Sequence, residues 1–428
     1  MLFQNSERHT ANVKADGSNL RQTVNYNFWR RNLYLIFTIE FFVLLSFGFP
    51  SPFLPILIQS LGKFTEGQAA FWTGLAISVN GLMMFLTAPI WGIIADRWGR
   101  KPMVIRSMFG IAAVSAAMAL APNVYWLVIL RAATGLFGGS MAAASALVAS
   151  TTPREKIPYS MGILMVASFS GIAFGPLIGG LMADSLGYSN VFYVVGAVYF
   201  VGGLVVLFFA RENFVPVPKE QIPTFGKLLR LAKSPAILPL LVVLCVLAIG
   251  PSMLGPIIPL FIQQLNAKSA ASASGLAMSL MGVVAAISSI IAGRMGNRIN
   301  LKTMLIWGCF CTGVLYLPPV FATTVFWFIV LMALRGVFNG GIMVPTNSLV
   351  SLSVSQTEQG MAYGLQQSAN SLGNGLGPLL GGVLASTVGL KIVFPVSAAL
   401  VIIAGFLVMK LLPELNRTKQ SESTPASN

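Results

Sequence analysis

Glu40 is the one acidic residue clearly inside a long apolar run, Leu35-Ile-Phe-Thr-Ile-Glu40-Phe-Phe-Val-Leu-Leu. A charge in the middle of a lipid-embedded helix costs about 2.5–3.5 kcal/mol on insertion scales, so a carboxylate there calls for a reason. Seven positions into an apolar segment spanning 33–58, it would lie roughly 10 Å deep at 1.5 Å per residue. Burial disfavours the charged carboxyl, so the chemistry open to it is binding and releasing a proton inside a cavity. A carboxylate kept wet near the rim is the competing reading. Arg131, in Leu130-Arg131-Ala-Ala-Thr134-Gly135, and Arg335 are arginines in two other apolar runs, where each must find carbonyls, an acid or water. Arg131 is expected to favour the charged form of Glu40 across the cavity, at a depth difference of about 10 Å that discourages a direct salt bridge. Tying helix backbones together is its simpler role. Arg335 has no intramembrane acid in its half and reads as structural.

These groups need membrane helices to position them. Hydrophobic residues make up 55% of the 428 and charged ones 9%, with mean hydropathy +0.78, whereas soluble chains carry about 25% charged residues. Twelve apolar segments are long enough to cross a bilayer as helices: 33–58, 71–95, 103–121, 124–148, 160–183, 190–210, 236–264, 272–293, 303–321, 325–350, 362–388 and 391–412, called spans 1 to 12. The reading is an all-α membrane protein of twelve transmembrane helices in two pseudo-symmetric six-helix bundles. The bundles cover 31–210 and 236–412, joined by a cytoplasmic loop at 211–235 and flanked by cytoplasmic tails at 1–30 and 413–428. Within the loop, Phe225-Gly-Lys-Leu-Leu-Arg-Leu-Ala-Lys has amphipathic spacing and is expected along the inner leaflet.

The net charge of +15 follows the same topology. With both termini inside, basic residues crowd the inner segments and only Lys63, Lys268 and Lys391 fall outside; cationic loops resist translocation. The surplus is therefore topological, and no nucleic-acid partner is expected. Cys245, Cys309 and Cys311 lie in spans and the sole histidine, His9, in the tail, leaving no basis for a disulfide framework or metal site. No Gly-x-x-x-x-Gly-Lys-Ser/Thr phosphate cradle exists, and no carboxylate cluster or Ser/His/Asp set supports hydrolysis. Neither a cofactor nor an enzymatic activity is expected, and an ion gradient is the energy source left.

Gly171-x-x-x-Gly175-Pro176-x-x-Gly179-Gly180 in span 5 returns as Gly373-x-x-x-Gly377-Pro378-x-x-Gly381-Gly382 in span 11, 202 positions on. Small residues admit close helix packing and proline bends the helix. Pro55, Gln59 and Leu61 match Pro259, Gln263 and Leu265; Gly92 and Arg97 match Gly293 and Arg298; Arg131 is paired with Arg335. A duplicated bundle commonly holds a substrate between its halves. In the loop between spans 2 and 3, Gly92-Ile-Ile-Ala-Asp96-Arg97-Trp-Gly99-Arg100-Lys101-Pro102 satisfies the orientation rule. Asp96 also ends a helix whose dipole disfavours it, so the N-terminus of span 11 could receive it and latch the halves. Gly99 can supply a turn closed to residues with a Cβ. The second copy has Asn297, making a charged latch one-sided.

These motifs resemble the major facilitator superfamily, and within it the twelve-helix drug–proton antiporters, especially the multidrug and fluoroquinolone efflux pumps of Gram-positive bacteria. The resemblance covers spans 1 to 12. It implies a conformational lock at Gly92, Asp96, Arg97, Gly99 and Arg100, and an antiporter signature at Gly171, Gly175, Pro176, Gly179 and Gly180. Glu40-Phe41, twelve residues before Pro52, is similar to a pattern in enterobacterial exporters whose glutamate governs transport of cationic drugs. Their second acid is Gly48 here, and the duplicated position of Glu40 is Leu244. Proton coupling is expected from Glu40 and Arg131. Substrate contacts are expected from Phe41, Asn80, Met165, Met253, Met278, Asn339, Gln366 and Asn370, because methionine suits irregular apolar ligands and Gln366, Asn370 and Asn374 share a helix face. The implied function is a monomeric multi-pass exporter in a bacterial plasma membrane, exchanging protons for cationic or zwitterionic amphipathic drugs. A solute-uptake or organic-anion carrier, with Arg131 and Arg335 as clamps, and a non-transporting sensor remain alternatives.

Overall fold

Long apolar segments can satisfy their backbone in lipid only by coiling into helices, and helix is what forms. The structure is a computed structural model that describes residues 29–153, 156–212, 225–235, 237–265, 269–295, 299–354 and 359–412, apart from a few side chains within helices, Asp96 and Arg97 among them. Asn297, Arg298, Lys268 and both predicted tails apart from Trp29 and Arg30 lie outside the described residues. The helices are α1 (Trp29–Gly48), α2 (Leu54–Leu61), α3 (Glu66–Trp98), α4 (Arg100–Ala119), α5 (Val124–Phe137), α6 (Ser140–Thr151), α7 (Ile157–Leu186), α8 (Tyr188–Phe209), α9 (Phe225–Ala232), α10 (Leu238–Ser252), α11 (Ile257–Gln264), α12 (Ala270–Met295), α13 (Leu301–Leu315), α14 (Val325–Leu352), α15 (Gln359–Thr387) and α16 (Val393–Leu411). Among the described residues, ten stretches are long and apolar enough to cross a membrane. Span 4, divided into α5 and α6, and the more polar span 11, α15, complete twelve passes.

Prolines set the interruptions: span 1 turns between α1 and α2 around Pro50 and Pro52, and span 7 between α10 and α11 before Pro256, since proline cannot donate to a helix ladder. Thr65 and Gln68 close a capping box on α3. Asn123 and Thr324 cap α5 and α14 at matching places in the two copies.

Within the first six passes α4 packs on α8, α1 on α7 and α3 on α5; within the last six α12 packs on α14, α10 on α15 and α13 on α16. The two sets meet along α3 with α15 and α7 with α12. The Gly-Pro repeat makes both kinds of contact. A Cβ on Gly175 or Gly179 would stand 2.5 Å from the Leu45 carbonyl oxygen or 2.3 Å from Phe49 Cα, in span 1. One on Gly180 would stand 2.3 Å from the Ala271 oxygen of α12, across the interface. The second copy does likewise, Gly381 against Met253 and Gly382 against Ala70. Beyond each internal proline, the next amide turns to a buried serine of the opposite half: Leu177 N–H donates to Ser279 Oγ and Leu379 N–H to Ser78 Oγ, both at 3.0 Å.

The packing corrects one expected pairing. Gly135 faces the Asn80 carbonyl as Gly336 faces that of Met281, which puts spans 4 and 10 in register at 201 positions. Arg131 therefore matches Met332, and Arg335 matches Thr134, one turn away. The two arginines are not duplicates.

One end of the molecule is shut and the other open. Gly67 lies against Ser386, Gly74 against Pro378 and Gly275 against Pro176, whereas Gly92, Gly162, Gly293 and Gly364 have no atom within 4 Å of where a Cβ would be. The open end carries Trp29 and Leu411. At the shut end Asp184 of α7 accepts from the backbone N–H and hydroxyl of Ser272, in the first turn of α12, and Glu66 accepts from Gln264.

Candidate substrate and proton site

Between the helices of the first half lies a cavity of about 380 Å³. Its polar lining comes from Ser46, Asn80, Ser115, Arg131, Thr134, Ser140, Ser145 and Tyr199 of the first half and Gln367 of α15, set among Leu44, Phe47, Met84, Phe192 and Val195. Arg131 projects from α5 with Nε buried and unpartnered, its guanidinium carbon 6.0 Å from the centre of the Phe192 ring. The Asn80 amide donates to the Arg131 carbonyl at 3.1 Å and to Thr134 Oγ1 at 2.6 Å, joining α3 to α5. No aspartate or glutamate lines the cavity. An electropositive pocket with hydroxyls, amides and an apolar wall can hold an amphipathic molecule by an acidic end.

Glu40 is 2% exposed, and neither carboxyl oxygen has a hydrogen-bond partner. It lies eleven residues into α1, roughly 16 Å along the axis, because the helix starts at Trp29 rather than near 33. It is not among the cavity-lining residues, a correction to its expected place. Tyr199, also buried, lines the cavity from α8, a helix that packs on the Glu40 helix α1.

The second half lacks this arrangement. Its corresponding cavity holds about 90 Å³. The Arg335 guanidinium stacks 3.8 Å from the Tyr316 ring centre and reaches Met332 Sδ at 3.0 Å, which engages its cation internally. At matching positions the second copy has Met281 for Asn80, Tyr316 for Ser115, Val401 for Tyr199 and Leu244 for Glu40.

A family model described as Major Facilitator Superfamily matches residues 36–272 and 240–427. The chain belongs to that superfamily. Multidrug resistance protein MdtG of Salmonella paratyphi B (strain ATCC BAA-1250 / SPB7) is 33% identical over 377 residues, which is 87% of this chain and 93% of the relative. A bacterial homologue of the human lysosomal transporter Spinster, solved inward-facing and occupied, shares the fold at TM-score 0.76 and 14% identity, covering 89% of this chain and 96% of the other. The human organic anion transporter MFSD10 (TETRAN) shares it at TM-score 0.66 and 20% identity, covering 89% and 99%. This superfamily member is a membrane transporter and not an enzyme.

The other residues singled out from sequence disperse. Met253 is buried against Gly381, Met165 is half exposed and Met278 is partly buried against the core, and none of the three is among the residues lining the cavity. Phe41 stacks edge-on with Phe42 at 5.2 Å rather than lining the cavity. Asn339 borders the small second cavity. Gln366 is buried and donates to Asn347, Asn370 is half-buried, and the neighbouring Gln367 takes the cavity position instead. In the loop between spans 2 and 3, Gly99 adopts φ +99°, and the Arg100 and Lys101 amides donate to the Glu212 carboxylate at 2.9 and 2.8 Å. That acid caps the N-terminus of α4 and was missed, as were Tyr199 and Ser115; Gln367 stood among the polar candidates of span 11. A usable signal existed: Ser115 and Tyr199 differ from their duplicates Tyr316 and Val401.

Proposed function

We propose that this transporter is a proton-coupled exporter of amphipathic drugs, working by alternating access of six-span bundles at 31–210 and 236–412. The observation that carries the reading is Glu40: a buried carboxyl without a partner among the described residues, on a helix packed against the one whose Tyr199 lines a drug-sized cavity. An unpaired carboxylate is expensive to bury, so Glu40 carries the proton and Tyr199 relays its state to bound substrate. The name of the Salmonella relative supports drug efflux. The crowding of basic residues on the inner segments supports cytoplasmic termini in a bacterial plasma membrane; on that reading the open end is the inner one and the chain works as a monomer.

Among cationic and zwitterionic drugs, the Arg131 lining favours zwitterions that present an acid group, as in fluoroquinolones. The same lining supports organic-anion carriage as a second reading, the activity in the name of the human structural relative. Accumulation of norfloxacin and ethidium in drug-sensitive cells, with and without a protonophore, tests the proposal. Lowered accumulation that the protonophore restores is expected. Raised uptake would assign an importer, and unchanged flux a sensor.

A further inference from the structure

Spans 4 and 10 are copies that fold differently. Phe137-Gly138-Gly139 matches Phe338-Asn339-Gly340, yet α14 runs unbroken from Val325 to Leu352 while the first copy stops at Phe137 and restarts at Ser140. Gly139 sits between at φ +95°, open to glycine and strained for other residues. A break in a membrane helix strands the carbonyls of the turn before it, and lipid offers them no donor. Here Trp91 Nε1 donates to the Leu136 oxygen at 2.8 Å, and the Arg106 guanidinium to those of Phe137 at 3.4 Å and Gly138 at 3.1 Å. The guanidinium carbon lies 3.4 Å from the centre of the Trp91 ring. Cation and indole hold each other in place while each serves the broken turn.

The second copy has neither donor. Ala292 and Trp307 stand at the matching positions, and both line an apolar groove of about 490 Å³. Its turn is served instead by a serine of the neighbouring α12: the Val337 carbonyl accepts from the Ser288 hydroxyl, and Gly340 N–H donates to Ser288 Oγ at 3.2 Å. The difference reaches the interior. Gly138, Gly139, Ser140 and Met141, the residues of the break, form one wall of the 380 Å³ cavity, whereas the unbroken copy borders only about 90 Å³.

We propose that Arg106 and Trp91 are specificity-determining positioning residues, which hold span 4 open at Gly138–Gly139 and thereby create the substrate cavity. This rests on the drug-site reading of that cavity, so the primary test needs no transport. In a variant lacking the three native cysteines, Ser145→Cys places a thiol on the α6 wall of the cavity, to be labelled by a small water-soluble maleimide in detergent. Adding Trp91→Ala with Arg106→Trp copies the second half. Labelling is expected to slow at least tenfold, and norfloxacin affinity to fall at least tenfold. A labelling rate within twofold of the parent would assign the cavity to Ser115, opposite the filling Tyr316 of the other copy, and overturn the proposal. Should the double variant not fold, Arg106→Lys keeps the charge but not the two-carbonyl reach, and is expected to slow labelling about threefold; parental labelling there overturns the proposal equally. Slowed labelling in a protein that moves no drug would instead remove the export reading and leave the staple standing.

Discussion

Arg131 and Arg335 carry the same group and meet opposite fates. The Nε of each is buried and unpartnered, but the Arg335 guanidinium stacks 3.8 Å from the Tyr316 ring centre and meets Met332 in a cavity of about 90 Å³, while that of Arg131 lies 6.0 Å from the Phe192 ring centre beside about 380 Å³ of space. Only the second arrangement leaves charge for a ligand. Arg131→Gln keeps donors and removes the cation; it is expected to weaken norfloxacin binding by about tenfold or more, near 1.4 kcal/mol, and ethidium binding by less than about threefold. Binding to purified protein checks this, and equal losses for both drugs would contradict a carboxylate contact. Glu40 and Arg131 were legible from sequence because charges in lipid need a reason. Ser115 and Tyr199 were not, since single hydroxyls are tolerated throughout membrane helices. Gln366 and Gln367 were neighbouring candidates, and which of them lines the cavity, one helical step or about 100° apart, is not readable without knowing which face meets Asn347.

At the scale of helices, the Gly-Pro repeat binds α7 to α1 by its first three glycines and to α12 by its fourth, and the proline passes its neighbour's amide to Ser279. α15 repeats the device with Ser78. These two hydrogen bonds pin the halves where they meet. Leaving a buried donor unmet costs about 1–3 kcal/mol, so Ser78→Ala and Ser279→Ala should each lower the thermal midpoint in detergent, and the double variant should lower it further. A double variant that melts like the parent would deny the pins any weight. Most span limits were readable to within four residues, because lipid imposes length and apolarity on each pass. The break in span 4 was not. Its cause, Trp91 and Arg106, sits on other spans, and a local Gly-Gly alone does not break α14 at Gly340 and Gly341.

For the whole molecule, contact at one end and separation at the other describe one station of an alternating-access cycle. Asp184 at the end of α7 meets the first turn of α12, the geometry expected of Asp96 with span 11 at the opposite end when that end closes; a carboxylate suits a helix N-terminus there. Asp184→Asn should release the shut end, and spin labels at Ser185 and Ser386 should then report a larger long-distance population. Asp96→Asn should shrink it. Identical distance distributions in both variants would separate these acids from the cycle. The duplication was legible, yet the register of spans 4 and 10 came only from Gly135 and Gly336 packing on their neighbours, because sequence matching favoured two arginines one turn apart.

Proton release on substrate binding tests the exchange of drug for proton most directly. Purified protein in weakly buffered detergent at neutral pH, mixed with norfloxacin beside a pH dye, should release protons, and Glu40→Gln should bind the drug while releasing none. Equal release by both proteins would take the proton site away from Glu40 and contradict the coupling.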